Sequence, residues 1–523
     1  MPGPNATNRR DPLLVGLDMG STSVKAVVYE PTGKAVARAS VPSAVHYPRP
    51  AWAHYSPDEL WAQAVHVLRE AVEKLDDPRR IAGIAVASVG EAGVPLDEDG
   101  NPTYDFIAWF DQRTLKQQAF VEQAVGEDRC FEITGLSIAP IFSLCKLLWI
   151  KDNHPDAWNR TRRWLHVADY VAYRLSGAQA TDWSLASRTM AFDIRKRVWS
   201  DELLKIVGID RALFAEPVAS GTAIGQVTAE AAQATGLPAG AVIATGGQDH
   251  VCGALAAGVT SPGTLLDSLG TAEAICVALD QPLGDPNLGR QGYSQGAHVA
   301  PGQYYVYGGV YTSGASINWW KDVLSVDHDA MIAEAALVPA GSLGVGFLPH
   351  LRMGNPPHMD ARSRGAFVGL TTDVNRGVLT RAVFEGLAFE ARATLEPLLD
   401  FAGLDALGDV TMIGGGTRND LLTKIKASVY NAKINVVDLE EATALGAAIL
   451  AGIGAGVYRD VADALHRIQS SSRVVEPTQA DVPAYDAYYR EVYAPLYSAL
   501  RTVNHVIHRL AHNESGPDVK AGA

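Results

Sequence analysis

Cysteine is scarce in this chain: four in 523 residues, Cys130, Cys145, Cys252 and Cys276, all far apart. No CxxC or zinc-ligand spacing appears, so a disulfide framework or a zinc module does not organise the fold. Reduced, packed thiols of a cytoplasmic protein are the expectation. Positive charge is also short. Lys and Arg total 44 against 58 Asp and Glu, a net charge of −14, and there is no long basic run. That argues against nucleic acid or an anionic membrane as main partner, while an anionic ligand still needs only a local positive site. No stretch is long and apolar enough for a membrane span. The longest uncharged run, 442–458, is built mainly of Ala and Gly and reads as a buried helix with close neighbours. The first ten residues are polar and lack the apolar core of a signal peptide; 1–11 and 513–523 are expected to be disordered.

What the chain does have is glycine placed at the ends of apolar runs. The most informative stretch is Thr245-Gly246-Gly247-Gln248-Asp249-His250, followed by a small-residue helix. Residues 241–244 are an apolar β-rich run, so one carboxylate stands at the tip of a strand-to-helix turn. Bare backbone there can approach a ligand closely. Asp249 reads either as a proton acceptor or as the cap of the helix that follows.

Two further stretches share a strand, polar turn, strand pattern. Residues 13–17 lead into Asp18-Met19-Gly20-Ser21-Thr22-Ser23 and a second strand at 24–29. Residues 262–277 repeat the pattern around Ser268-Leu269-Gly270-Thr271. A Walker loop would run from strand into helix with a Gly-Lys-Ser/Thr ending, and neither feature is present. Hairpin tips of this kind still offer N–H groups and hydroxyls to phosphate oxygens. The apolar strand 81–88, ending near Gly90-Glu91, has a counterpart in 409–413, which ends in Gly414-Gly415-Gly416. The two halves therefore repeat a rough order of elements, which predicts two α/β domains facing each other across a cleft. The boundaries read as 12–257 and 258–512.

Other polar candidates sit between these motifs. In Trp109-Phe110-Asp111-Gln112-Arg113, strand alternation would set Trp109, Asp111 and Arg113 on one face, as a salt-bridged strand end or as a small pocket with an aromatic wall. Thr312-Ser313-Gly314 opens a helix whose small-residue N-terminus suits an anion or nucleotide.

Taken together and in order, these motifs resemble the FGGY carbohydrate kinases, of the sugar-kinase, actin and heat-shock ATPase superfamily. The resemblance spans about residues 12–500. It implies two actin-like (ribonuclease H-like) domains, ATP and Mg²⁺ as cofactors, and transfer of a phosphoryl group to a hydroxyl of a small neutral sugar or polyol. By the matching positions, Asp249 would be the general base, and Asp18 with Asp249 would hold the metal. Gly20, Ser21, Thr22, Gly270 and Thr271 would face the phosphates. Gly314, Asn318, Gly415, Gly416 and Asn419 would approach the rest of the nucleotide. Glu91, Trp109, Asp111 and His250 would shape the acceptor site.

The substrate positions depart from both familiar patterns. Glycerol-kinase members carry Arg-Glu where this chain has Gly90-Glu91, and xylulose-kinase members carry Met-His there. The residue after the catalytic acid is His250 rather than Gln or Asn. Loss of the Arg is expected to free volume for an acceptor longer than glycerol, such as a ketopentose or a four- to five-carbon polyol. The rivals are a glycerol kinase and a sugar sensor that has lost catalysis. A cytoplasmic homodimer is the expected assembly.

Overall fold

The computed structural model describes residues 11–404 and 407–512. The expectations for 1–10 and 513–523 lie outside the described residues. The carbonyl of Asp11, the first of them, already accepts a hydrogen bond from Arg80 at 2.9 Å.

The first half is built on β1 (Leu13–Met19), β2 (Ser23–Tyr29), β3 (Ala35–Pro42), β4 (Ile81–Ser88), β5 (Ala223–Gln226) and β6 (Val242–Gln248). They form one sheet in the order β5-β6-β4-β1-β2-β3, with β6, β4 and β1 parallel. The second half uses β7 (Leu265–Leu269), β8 (Glu273–Leu279), β9 (Ser294–Ala297), β10 (Tyr304–Val310), β11 (Val410–Ile413), β12 (Ile434–Val437) and β13 (Ser472–Val475). Their order is β9-β10-β8-β7-β11-β12-β13, with β7, β11 and β12 parallel. The hairpins β1–β2 and β7–β8 occupy equivalent places, and so do β4 and β11. The duplication legible in the sequence is thus a duplication of topology.

The helices that matter for the site are α1 (Pro57–Glu73), α2 (Ser143–Asn153), α3 (Asp249–Ala256), α4 (Ser313–Leu324), α5 (Arg376–Ala402), α6 (Asp420–Tyr430) and α7 (Ala442–Gly454). Proline at the first position starts α1, but the side chain of Ser56 makes no capping bond.

Strand alternation sorts the first sheet's faces. Leu13, Val15 and Leu17 join Ile84, Val86 and Ile243 in a core with Leu60 and Leu68 of α1. The opposite face carries smaller residues, Leu14, Ala85, Ala87 and Ala244, against Leu445 and Ala448 of α7. Leu266, Cys276 and Ile413 of the second sheet join that same cluster. The two sheets therefore share a central core, filled by the small-residue helices α3 and α7. Close approach requires glycine here: a Cβ at Gly16 would lie 1.8 Å from the Ala444 carbonyl oxygen, and one at Gly446 2.0 Å from that of Cys252. Residues 442–454 of the uncharged run form this helix, and no described helix is long and apolar enough to cross a membrane.

Candidate active site

The parallel strands bring the acids together. Asp18 pairs with Ala87 on one side of β4, and Gly247 pairs with the same Ala87 on the other. The C-terminal ends of β1, β4 and β6 therefore form one rim, where ligands of open α/β sheets bind. Asp18 lies on that rim, Glu91 three residues beyond β4, and Asp249 one residue beyond β6.

The glycines of the central motif act differently from the sequence expectation. They serve chain packing: the register shifts between Ala244 and Gly247, and a Cβ at Gly246 would lie 1.8 Å from the Val86 carbonyl oxygen. The strand also runs on through Gln248, so the turn is shorter than expected. The cap of α3 is Gln248, whose side chain accepts from the Val251 N–H at 3.2 Å. Asp249 is thus the first helical residue and is free of the capping task. Its Oδ1 accepts from Gln248 Nε2 and from the His250 N–H, both at 2.7 Å, while Oδ2 has no donor among the described residues. Burial raises its pKa against the opposing pull of His250.

Asp18 is perturbed in the same direction. Burial and the Asp249 carboxylate push it up to about 8, with Lys25 opposing and Glu441 adding to the rise. Its Oδ1 is buried with no hydrogen-bond partner among the described residues. Lys25 Nζ is engaged by Glu441 Oε2 at 2.8 Å, at the start of α7. A cavity of about 220 Å³ opens beside these groups, lined by Asp18, Lys25, His250, Tyr307, Gly414 and Thr443 among others.

Both hairpin tips are formed. Gly20 N–H donates to the Ser23 carbonyl at 3.2 Å, with Ser21 and Thr22 in the turn. Gly270 N–H donates to the Ala272 carbonyl at 3.0 Å across Thr271. The N-terminus of α4 docks on this second tip, with Gly314 N–H donating to the Gly270 carbonyl at 3.1 Å and Ala315 N–H to that of Thr271 at 3.0 Å. Asn318, one turn along, is exposed. Gly415 and Gly416 form the short helical turn after β11, and Asn419 caps α6 through a bond to the Leu422 N–H. Asn419 Nδ2 is buried and has no partner among the described residues.

The acceptor-side residues are less uniform. Trp109 keeps 38% of its surface exposed, its ring edge-on to Phe110. The strand expected through Arg113 ends at Ile107, and the chain then turns. Asp111 is only 1% exposed, and its carboxylate is taken up by Arg113 at 2.7 Å and by the Ala53 N–H. Arg113 in turn stacks on Trp52 and Trp149. His250 is exposed, with its ring 6.4 Å from that of Tyr307.

Two basic residues passed unnoticed in the sequence. Arg188 donates to Glu91 Oε1 from Nε at 2.8 Å and from Nη2 at 2.6 Å. Its stem fills the space beside Gly90, where a Cβ would lie 2.7 Å from Arg188 Cγ. The volume expected to be vacated at position 90 is therefore occupied by an arginine arriving from elsewhere. Lys146 of α2 is fully buried, bonds the Glu91 carbonyl at 2.8 Å, and is driven down to about 7 by that burial. A lone base inside an apolar run was the available signal for Lys146, whereas Arg188, between Ser187 and Thr189, carries no such signal.

Residues 13–256 match the N-terminal domain, and 265–455 the C-terminal domain, of the FGGY family of carbohydrate kinases. The chain belongs to this family. It is 27% identical over 499 residues to a xylulose kinase of Lactococcus lactis subsp. lactis, covering 94% of this chain and 98% of the relative. It is 33% identical over 457 residues to a glycerol kinase of Citrifermentans bemidjiense, covering 85% and 90%. Among solved structures, a xylulose kinase from Rhodospirillum rubrum superposes with a TM-score of 0.86 at 29% identity, covering 94% of this chain and all of that one. This FGGY protein is thus an ATP-dependent sugar or polyol kinase with the two-domain fold of its family.

Proposed function

We propose that this FGGY kinase phosphorylates a hydroxyl of a ketopentose or a four- to five-carbon polyol, with Asp249 as general base. The observation that carries the reading is the free Oδ2 of Asp249 on the same rim as Asp18 and Glu91. Oδ1 is held by two donors, so Oδ2 is left to take the acceptor proton as the hydroxyl oxygen attacks the γ-phosphate. Burial makes that carboxylate more basic, which favours proton acceptance. Glu91 Oε2, unused by Arg188, accepts from another hydroxyl of the same molecule.

The residues fit a divalent cation. Asp18 Oδ1 is buried without a partner and faces a second carboxylate, an arrangement stabilised by a hard cation that keeps part of its water shell. Mg²⁺ held by Asp18 and Asp249 would neutralise charge on the phosphates. Among the described residues no three His, Cys, Asp or Glu side chains converge on one point, so water and phosphate would complete the shell. The tips at Gly20–Thr22 and Gly270–Thr271 supply N–H groups and hydroxyls to the phosphates, with Gly314 fixing the second tip. Gly415, Gly416 and the unpartnered Nδ2 of Asn419 suit the nucleoside.

One observation favours glycerol as the rival acceptor. An arginine does stand on the Glu91 carboxylate, although it comes from position 188. A panel of xylulose, other ketopentoses, C4 and C5 polyols and glycerol, assayed for ADP release, separates the two. Turnover of glycerol alone defeats the preferred acceptor. Asp249→Asn should lower kcat by about a hundred- to ten-thousand-fold, and undiminished turnover in that variant removes Asp249 as the base.

A further inference from the structure

Arg188 uses both faces of the cleft. Glu91 and the segment carrying Arg188 belong to the first half of the chain. Its other partners, Ser294 Oγ on Nη1 at 2.8 Å and the Tyr307 hydroxyl on Nη2 at 3.1 Å, belong to β9 and β10 of the second. Ser294 and Tyr307 are paired across those two strands, so one patch of the second sheet receives the guanidinium. The group is 1% exposed, stacked between the Phe142 and Tyr307 rings at 5.1 and 5.5 Å. Four of its five N–H groups are spent: two on one oxygen of Glu91, two on the opposite domain.

Tyr307 continues the path, because it lines the cavity that also holds Asp18 and Lys25. Glu91, Arg188 and Tyr307 thus form an unbroken line of charge-assisted bonds from the acceptor side to the phosphate side. Gly90 is the local condition for it, since any side chain there would displace the Arg188 stem.

We propose that Arg188 is a positioning residue that couples acceptor binding to closure of the two domains. It orients Glu91 so that Oε2 faces the acceptor, and it holds the second sheet, through Ser294 and Tyr307, in the place that this orientation requires. An acceptor hydroxyl on Glu91 stiffens the carboxylate, and the fork transmits that to the opposite domain. A rigid planar fork is needed for this; a lysine carries the charge on one compact nitrogen that does not span Glu91, Ser294 and Tyr307 in a fixed plane.

The proposal rests on the acceptor-site reading above, so its test is read by binding rather than turnover. Acceptor affinity is measured by calorimetry for the same panel, with and without a non-hydrolysable ATP analogue and Mg²⁺. In the wild type the analogue should tighten acceptor binding. Arg188→Ala should weaken acceptor binding about tenfold or more and reduce that tightening towards none. Arg188→Lys should fail to restore the tightening, and Tyr307→Phe and Ser294→Ala should each diminish it. If Arg188→Ala does not fold, the last two variants decide the matter. Folded variants with wild-type acceptor affinity and wild-type tightening overturn the proposal. A wild type that binds and tightens but forms no phosphorylated product counts against the kinase reading alone. A wild type that binds no panel member overturns both.

Discussion

Asp18 and Asp249 stand on opposite sides of one strand, for Asp18 and Gly247 both pair with Ala87 of β4. Two acids that are 231 positions apart in sequence thereby share one rim, and Asp249 raises the cost of ionising Asp18. Most of the chemistry expected of this FGGY kinase can be tested through that relationship.

Asp18 is pushed up to about 8 from the model-peptide value of 3.8. The sign follows from linkage: its contribution to the unliganded fold is fully present below 3.8 and is lost as pH rises through about 8. Metal binding needs the carboxylate, so the gain in melting temperature from Mg²⁺ and ADP should grow between about pH 6 and about pH 8.5. Asp18→Asn should abolish the pH-dependent part of that gain and raise the unliganded melting temperature at the alkaline end. Thermal scans at stepped pH check both, and a gain flat with pH in the wild type contradicts the assignment.

Asp111 behaves as a structural partner of Arg113. Asp111→Ala leaves a buried guanidinium between Trp52 and Trp149 without its counter-ion. The expected loss is about 3–5 kcal/mol of unfolding free energy, measured by urea titration. The milder Asp111→Asn should leave the acceptor KM within about threefold of wild type; a KM change much larger than that, in a folded variant, would restore Asp111 to the acceptor site.

Gly446→Ala places a methyl 2.0 Å from the Cys252 carbonyl oxygen, where α7 crosses α3. Overpacking of a filled core costs about 1–3 kcal/mol, so the denaturation midpoint should fall with little change in slope. An unchanged midpoint would mean that the two helices are looser than the structure shows.

Gly314→Ala pushes a methyl to 2.4 Å from the Gly270 carbonyl oxygen and lifts α4 off the second hairpin. ATP KM should rise about tenfold, in keeping with loss of ordered phosphate contacts, while calorimetric affinity for the acceptor alone stays the same. A rise in acceptor dissociation constant with unaltered ATP KM would place α4 elsewhere in the mechanism.

Legibility differed along the chain for physical reasons. The hairpins at Asp18 and Ser268 and the strand ends at Gly90 and Gly414 were readable because strand, turn and glycine signals are local. The position of Asp249 was readable too, but the cap weighed as its alternative role falls one residue earlier. Gln248 takes it because β6 runs longer than its apolar part. At Trp109–Arg113 the salt bridge was legible and the turn was not, because an alternating pattern looks the same in a strand and in a turn pinned by a buried ion pair.

From its sequence alone this protein resembles a two-fold repeated α/β kinase with acids at three strand ends of its first half, Asp18, Glu91 and Asp249, because local patterning and motif order are properties of short segments. Only the tertiary structure decides what stands beside those acids. Arg188, Lys146, Tyr307 and Ser294 reach Glu91 or its partner from α2, β9, β10 and the segment around residue 188, and no local pattern records that meeting. The missing arginine of the sequence is present in space, because a guanidinium is recognised by where its fork ends and not by where its backbone begins.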